Sequence, residues 1–190
     1  MRELIFKVIF LFSMSSFSLG AVISDIDKTD VELSTRFDGT SLLVFGALSP
    51  ESDNTSLLVE VIGPSTSVDI TKKVQIWGIW VNKKIAQFKD IPSFYKISIS
   101  NPEHPILKEI EYQKLKSIFY DFLETISTPE DGNGVEQYYH ELTRLKKKLG
   151  KLSIFEEKIN IIDKKLFSYK VNLPKKIHPG KYKIKMTLID

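Results

Sequence analysis

The residues that could do chemistry are few and scattered. Asp25, Asp27, Asp30 and Glu32 form the densest carboxylate group of the mature chain. Calcium loops use carboxylates at such spacing, but they also need a turn glycine and a distal bidentate acid. No glycine lies between Asp25 and Thr35, so the group reads as a solvated N-terminal stretch. His104, His140 and His178 are the only histidines, and cysteine is absent. None of the three has another histidine at metal-ligand spacing, and without cysteine there are no disulfides, thiolates or iron–sulfur ligands. His140 stands between Glu136 and Arg144 at i−4 and i+4, the spacing of a surface ion-pair network on a helix. No serine sits in a Gly-x-Ser-x-Gly elbow. The reading assigns no catalytic residue, no metal and no cofactor, and expects a protein that is not an enzyme.

Aromatic residues are the better candidates for binding. Trp77 and Trp80 are the only tryptophans, and they flank Gly78 within KKVQIWGIWVNKKIAQFKDIPSFY, residues Lys72 to Tyr95. Apolar residues at successive positions predict a strand buried on both faces, with a turn at Asn82 to Lys84. Residues three apart on a strand point opposite ways. One indole is therefore expected in a sheet core and the other beneath the helices. The competing use is a glycan- or peptide-stacking surface. Its candidate residues are Trp77, Trp80, Asn82 and Tyr95, with Tyr138 as a further ring.

Charge divides the chain. Residues 21–139 hold 11 Lys+Arg and 18 Asp+Glu, a net of −7, whereas residues 140–190 hold 14 and 5, a net of +9. Arg144 is the only arginine of the basic part. Readers of bases and phosphates favour arginine for its planar fork, which argues against nucleic acid. Lys146, Lys147, Lys148, Lys175 and Lys176 are instead candidates for contact with an anionic lipid surface or an acidic partner.

These residues must be positioned by a fold that starts after an export signal. Arg2 and Lys7 precede an apolar run from Val8 to Leu19, and Ser18 and Gly20 are small residues before a cut at Ala21. That pattern is a signal peptide over residues 1–20, shorter than the roughly 20 apolar residues of a membrane span. Residues 21–190 then form one domain, expected in the periplasm. Alternating or apolar runs at Val31–Thr35, Ser41–Ala47, Ser56–Ile62, Ser67–Ile70, Val74–Val81, Phe94–Ser100, Leu166–Leu173 and Tyr182–Ile189 predict strands separated by Gly, Pro and Asp turns. The expected fold is mainly β: an immunoglobulin-like β-sandwich carrying a two-helix hairpin over about 102–150. The first helix follows Asn101-Pro102-Glu103 with a stripe from Leu107 through Ile118, Phe119 and Phe122 to Ile126. After the loop 127–134, the second runs from Val135 to Leu149 and stops at Gly150.

Several blocks carry a family resemblance. They are FDGTSLLVFGA (Phe37–Ala47), VIGP (Val61–Pro64), GIWVN (Gly78–Asn82), FKDIPSFY (Phe88–Tyr95), ELTRLKKKLG (Glu141–Gly150) and LF…LP…PGKY (Leu166–Tyr182). In this order they resemble the alphaproteobacterial putative transmembrane protein family of unknown function. The resemblance implies a signal peptide, a periplasmic β-rich domain and a C-terminal membrane helix. It also implies an accessory role beside an inner-membrane partner such as a sulfite-exporter-like permease. Against that pattern, the sequence ends at Asp190 inside the segment similar to the family's penultimate strand. The family assigns no catalytic residues, so none is carried over.

Overall fold

The computed structural model describes residues 21–34, 36–49, 54–115, 123–125 and 135–189. The expected signal peptide, the stripe positions Ile118, Phe119, Phe122 and Ile126, and the loop 127–134 lie outside the described residues. The fold is mainly β, in three sheets.

One sheet has the order β1 (Ala21–Ile26), β2 (Thr40–Ser49), β10 (Leu166–Leu173) and β9 (Asn160–Ile162), all antiparallel. The alternation in LFSYKVNL works as a half-buried strand should: Phe167, Tyr169, Val171 and Leu173 face inward, and the residues between them face out. Leu42 and Val44 of β2 point the same way. Glycine at 46 is required by close approach, because a Cβ there would sit 2.1 Å from the Ile23 carbonyl oxygen and 2.8 Å from the Phe167 ring.

The second sheet has the order β11 (Lys183–Ile189), β3 (Ser56–Ile62), β6 (Tyr95–Ile99) and β8 (Leu152–Ile154). Only the β6–β8 pairing in it is parallel. Its central strands are apolar on both faces because both faces are covered. Leu57, Val59 and Val61 of β3 meet the first sheet, in a core shared with Phe94 and Ile159. Leu58 of β3 and Tyr95, Ile97 and Ile99 of β6 face the other way. There they meet Ala86, Phe88 and Ile91 from the base of a long hairpin, and Tyr138 and Leu142 from a helix.

That hairpin is β4 (Ser65–Ile76) and β5 (Ile79–Pro92), with β7 (Leu123–Thr125) added at the β5 edge. Among the described residues the helices are α1 (Leu107–Leu115) and α2 (Val135–Lys148). Gly150 ends α2 in a left-handed conformation, with φ of 66°. The sequence predicted a first helix reaching Ile126. The chain instead turns to strand at Leu123, whose backbone pairs with Phe88. The first strand also differs, lying at 21–26 rather than 31–35, because Ala21–Ile26 runs antiparallel to Val44–Ser49.

Several polar groups inside the molecule are paired, whereas Ser93 Oγ and Thr143 Oγ1 are buried without a hydrogen-bond partner. The Tyr95 hydroxyl donates to Glu60 Oε1 at 2.8 Å on one face of the central sheet. On the other face, Ser98 Oγ donates to the Tyr169 hydroxyl at 3.0 Å, which donates to Glu157 Oε2 at 2.8 Å, and Lys96 Nζ pairs with Glu157 Oε1. Burial holds both phenols well above the usual tyrosine range, with the neighbouring carboxylates adding to the effect.

Candidate functional site

The two tryptophans are not in the core. Trp77 is 98% exposed and Trp80 65% exposed, at the far end of the β4–β5 hairpin. The expected turn at Asn82–Lys84 is absent. Those residues lie within β5, and the chain reverses at Trp77-Gly78, both with positive φ (50° and 78°). A two-residue turn with positive φ at both positions is the type that matches the twist of paired strands. Gln75 Nε2 donates to the Gly78 carbonyl at 3.4 Å and braces it.

The register shows why the hairpin forms here. Ile76 faces Ile79, Val74 faces Val81, Lys72 faces Lys83, and Lys73 faces Asn82. The sequence is nearly mirror-symmetric about Trp77-Gly78, so the apolar pairs Ile76–Ile79 and Val74–Val81 meet across the strands, while Gln75 faces Trp80. That symmetry was the legible signal of the turn. Nearer the body, the register shifts between Ile70 and Thr71, as at a β-bulge. Below the bulge Ala86, Phe88 and Ile91 are buried, and above it nearly every residue is exposed. Six residues per arm beyond the bulge reach roughly 20 Å along the strand direction.

The tip is therefore an apolar cap on a basic collar. Ile76, Trp77, Ile79, Trp80 and Val81 are exposed together. Lys72, Lys73 and Lys83 are exposed behind them, and Lys84 pairs with Asp69 at 2.6 Å. Three to four residues separate the Ile76–Ile79 pair from the lysines, about 10–13 Å of strand. A left-handed backbone at a bulky residue such as Trp77 costs about 1 kcal/mol, and asparagine or glycine would suit the site better.

The other candidate residues are dispersed. Asn82 is exposed on the same hairpin, but Tyr95 is buried in the second core. Tyr138 is buried in that core too, so the two tyrosines add no exposed ring to the tryptophans. Lys146, read as a surface contact, is 5% exposed and donates from Nζ to the Pro92 carbonyl at 2.6 Å. Its position on the inward side of α2 makes it an internal tie between helix and sheet. Burial, with Lys151 nearby, pulls its pKa down to about 8. Lys147 lies 3.7 Å from Glu156, Lys175 pairs with Asp38, and Lys148 and Lys176 are exposed. Asp27 of the acidic stretch accepts from the Leu43 amide at 2.7 Å, a structural role. Among the described residues no cluster of three His, Asp or Glu residues could hold a metal.

A family model described as "Putative transmembrane protein (Alph_Pro_TM)" matches residues 21–190. The chain belongs to that family. Its function is unknown, and the match names no partner or site residue for this Alph_Pro_TM chain. No curated protein and no solved structure matches the chain. Among the described residues, no helix is long and apolar enough to cross a membrane.

Proposed function

We propose that residues 21–190 are the non-enzymatic periplasmic module of a membrane-associated protein, exported by the signal peptide at 1–20. The module serves as an accessory to an inner-membrane partner, for which a sulfite-exporter-like permease is the candidate, and the β4–β5 tip brings it to the bilayer surface. The observation that carries this reading is Trp77: a large aromatic, almost fully exposed, held in a backbone conformation that disfavours it. Strain kept at an exposed residue points to a role outside folding. Tryptophan belongs at the headgroup level of a bilayer, and lysines behind it add attraction to anionic lipids. The spacing of cap and collar fits the 5–10 Å depth of interfacial insertion. Membership of a transmembrane family supports the same setting.

The sheet orders support an immunoglobulin-like reading of the scaffold. β1-β2-β10-β9 corresponds to the four-stranded sheet of that sandwich, and β11-β3-β6 to part of the other. Glycan or peptide stacking is the weaker reading, because the indoles stand on a convex tip rather than in a cleft.

The test is vesicle binding followed by indole emission. Both tryptophans of the chain are at the tip, so emission reports that site alone. Vesicles of phosphatidylcholine and phosphatidylglycerol should shift the emission to the blue, and brominated acyl chains should quench it. Unchanged emission with vesicles, together with a shift on adding cell-wall fragments, would move the assignment to glycan binding.

A further inference from the structure

We propose that the molecule carries a binding site for a tetrahedral oxyanion of the phosphate or sulfate type. It lies where the last turn of α2, the segment 174–178 and the base of the β4–β5 hairpin meet. Its residues are Lys146, Lys151, Lys176 and His178.

A chain of contacts closes into a ring there. Lys146, in the last turn of α2, donates from Nζ to the Pro92 carbonyl at 2.6 Å. Across the hairpin base Pro92 pairs with Ser65, and Ile91 with Thr66. Thr66 Oγ1 and His178 Nε2 lie 3.5 Å apart. From His178 the chain leads back through Lys176 to Pro174, which packs on Gly150: a Cβ at that glycine would sit 3.7 Å from Pro174 Cβ. The next residue after Gly150 is Lys151, whose amide donates to the Lys146 carbonyl at 2.9 Å and returns the path to its start. The Lys151 carbonyl accepts from the Tyr95 amide at 2.8 Å, which fixes the ring to the central sheet.

Three lysines and an imidazole therefore share one small region. Among the described residues no carboxylate pairs with Lys151, Lys176 or His178. The nearby Asp38 and Glu156 pair instead with Lys175 and Lys147. The C-terminus of α2 supplies about half a negative charge, well short of three ammonium groups. The cations feel one another. Burial lowers the pKa of His178, and Lys151 and Lys146 lower it further; burial and then Lys176 do the same to Lys151. A bound anion turns that mutual repulsion into attraction. Next to Pro92, the Ser93 hydroxyl is buried without a hydrogen-bond partner, so an unused donor sits at the same turn.

The residue types select the ligand. Ammonium groups are compact point charges with rotatable donors, whereas a planar carboxylate is best met by the arginine fork. Exposure is graded from Lys176 and His178 at the surface, through half-buried Lys151, to buried Lys146, which leaves an entry from solvent. β4 spans 12 residues from Ser65 to Ile76, so about 35 Å of strand separates this region from the tip. The site and the membrane reading of the tip can therefore fail independently.

The test follows the histidine resonances of the 190-residue chain by NMR while sulfate, which stays dianionic through the histidine range, replaces chloride at constant ionic strength. His178 should shift saturably and its pKa should rise above the ordinary 6.5, with His104 and His140 unmoved. K151Q/K176Q should weaken the sulfate effect at least about tenfold, and K176E alone, at an exposed position, at least about threefold. K147Q/K175Q, which removes the two paired lysines, should leave it unchanged. Co-sedimentation of K151Q/K176Q with phosphatidylglycerol vesicles separates the sources of the anion. Unchanged sedimentation assigns a free oxyanion, and lost sedimentation assigns a lipid phosphate. A shift that is linear in sulfate and alike at all three histidines would overturn the site as mere screening. Full sulfate binding by K176E and by K151Q/K176Q would overturn it as well.

Discussion

Replacing Trp77 by asparagine should move stability and membrane binding in opposite directions. The side chain is 98% exposed, so the folded state loses no packing with it. Its backbone has φ of 50° and is followed by Gly78 at 78°, the conformation that Asn-Gly adopts most readily. Relief of a left-handed bulky residue should raise unfolding free energy by about 0.5–1 kcal/mol. Binding should fall. An indole offers about 200 Å² of surface. If half of that enters the lipid interface, about 100 Å² at about 25 cal/mol per Å² gives about 2.5 kcal/mol. That corresponds to about a 70-fold drop in partitioning. Urea unfolding and co-sedimentation with phosphatidylcholine–phosphatidylglycerol vesicles read the two effects, with Trp80 still reporting by emission. A variant that is less stable than the parent, or that partitions within about threefold of it, would refute the reasoning. The first result would mean that Trp77 supports the fold, the second that it does not enter the bilayer.

Further outcomes follow from the same geometry. Changing Lys72, Lys73 and Lys83 together to glutamine should weaken binding to anionic vesicles by about 3 kcal/mol, at about 1 kcal/mol per lysine, with little change on neutral vesicles. Gly46→Ala should destabilise the fold by about 1–3 kcal/mol, measured by urea unfolding, because the added Cβ meets the Ile23 carbonyl and the Phe167 ring. Lys146 has a folded pKa of about 8 against an ordinary 10.5, so the unfolded chain binds more protons between those values and stability should rise with pH there. The rise should be about 2 kcal/mol from pH 8 to 10 and should be absent in Lys146→Met. Above about pH 10 the raised phenols of Tyr95 and Tyr169 act the other way, since they ionise only on unfolding, and stability should fall again.

Much of the scaffold is written in local pattern. β10 and β11 alternate as their sequences predict, because each has one face on the sandwich. α2 and its glycine stop are legible because a helix that packs one side against sheets needs a periodic stripe and a turn-compatible exit. The run Ser56–Ile62 was legible as a strand, and the structure covers it on both faces. The successive apolar residues of IWGIWV implied burial on both faces, and there the pattern failed. Periodicity reports which residues are apolar, and says nothing of whether another element comes to cover them. The mirror symmetry about Trp77-Gly78 was the cue to a turn, and it outweighs the Asn-Lys-Lys signal because cross-strand pairs form on both arms at once.

Composition and order of residues alone determined the mainly β class, the basic C-terminal part, the absence of cysteine chemistry and the resemblance to a transmembrane family, since each of these is local or additive along the chain. Only the tertiary structure decided which apolar residues find partners. It buried Tyr95 and Tyr138, candidates for stacking, and Lys146, a candidate for surface contact, because β6 and α2 pack against the hairpin base. It exposed both tryptophans, because the arms of β4 and β5 extend past the last residue of the core that could cover them. Coverage of a surface depends on contacts between segments far apart in sequence, which no local pattern encodes.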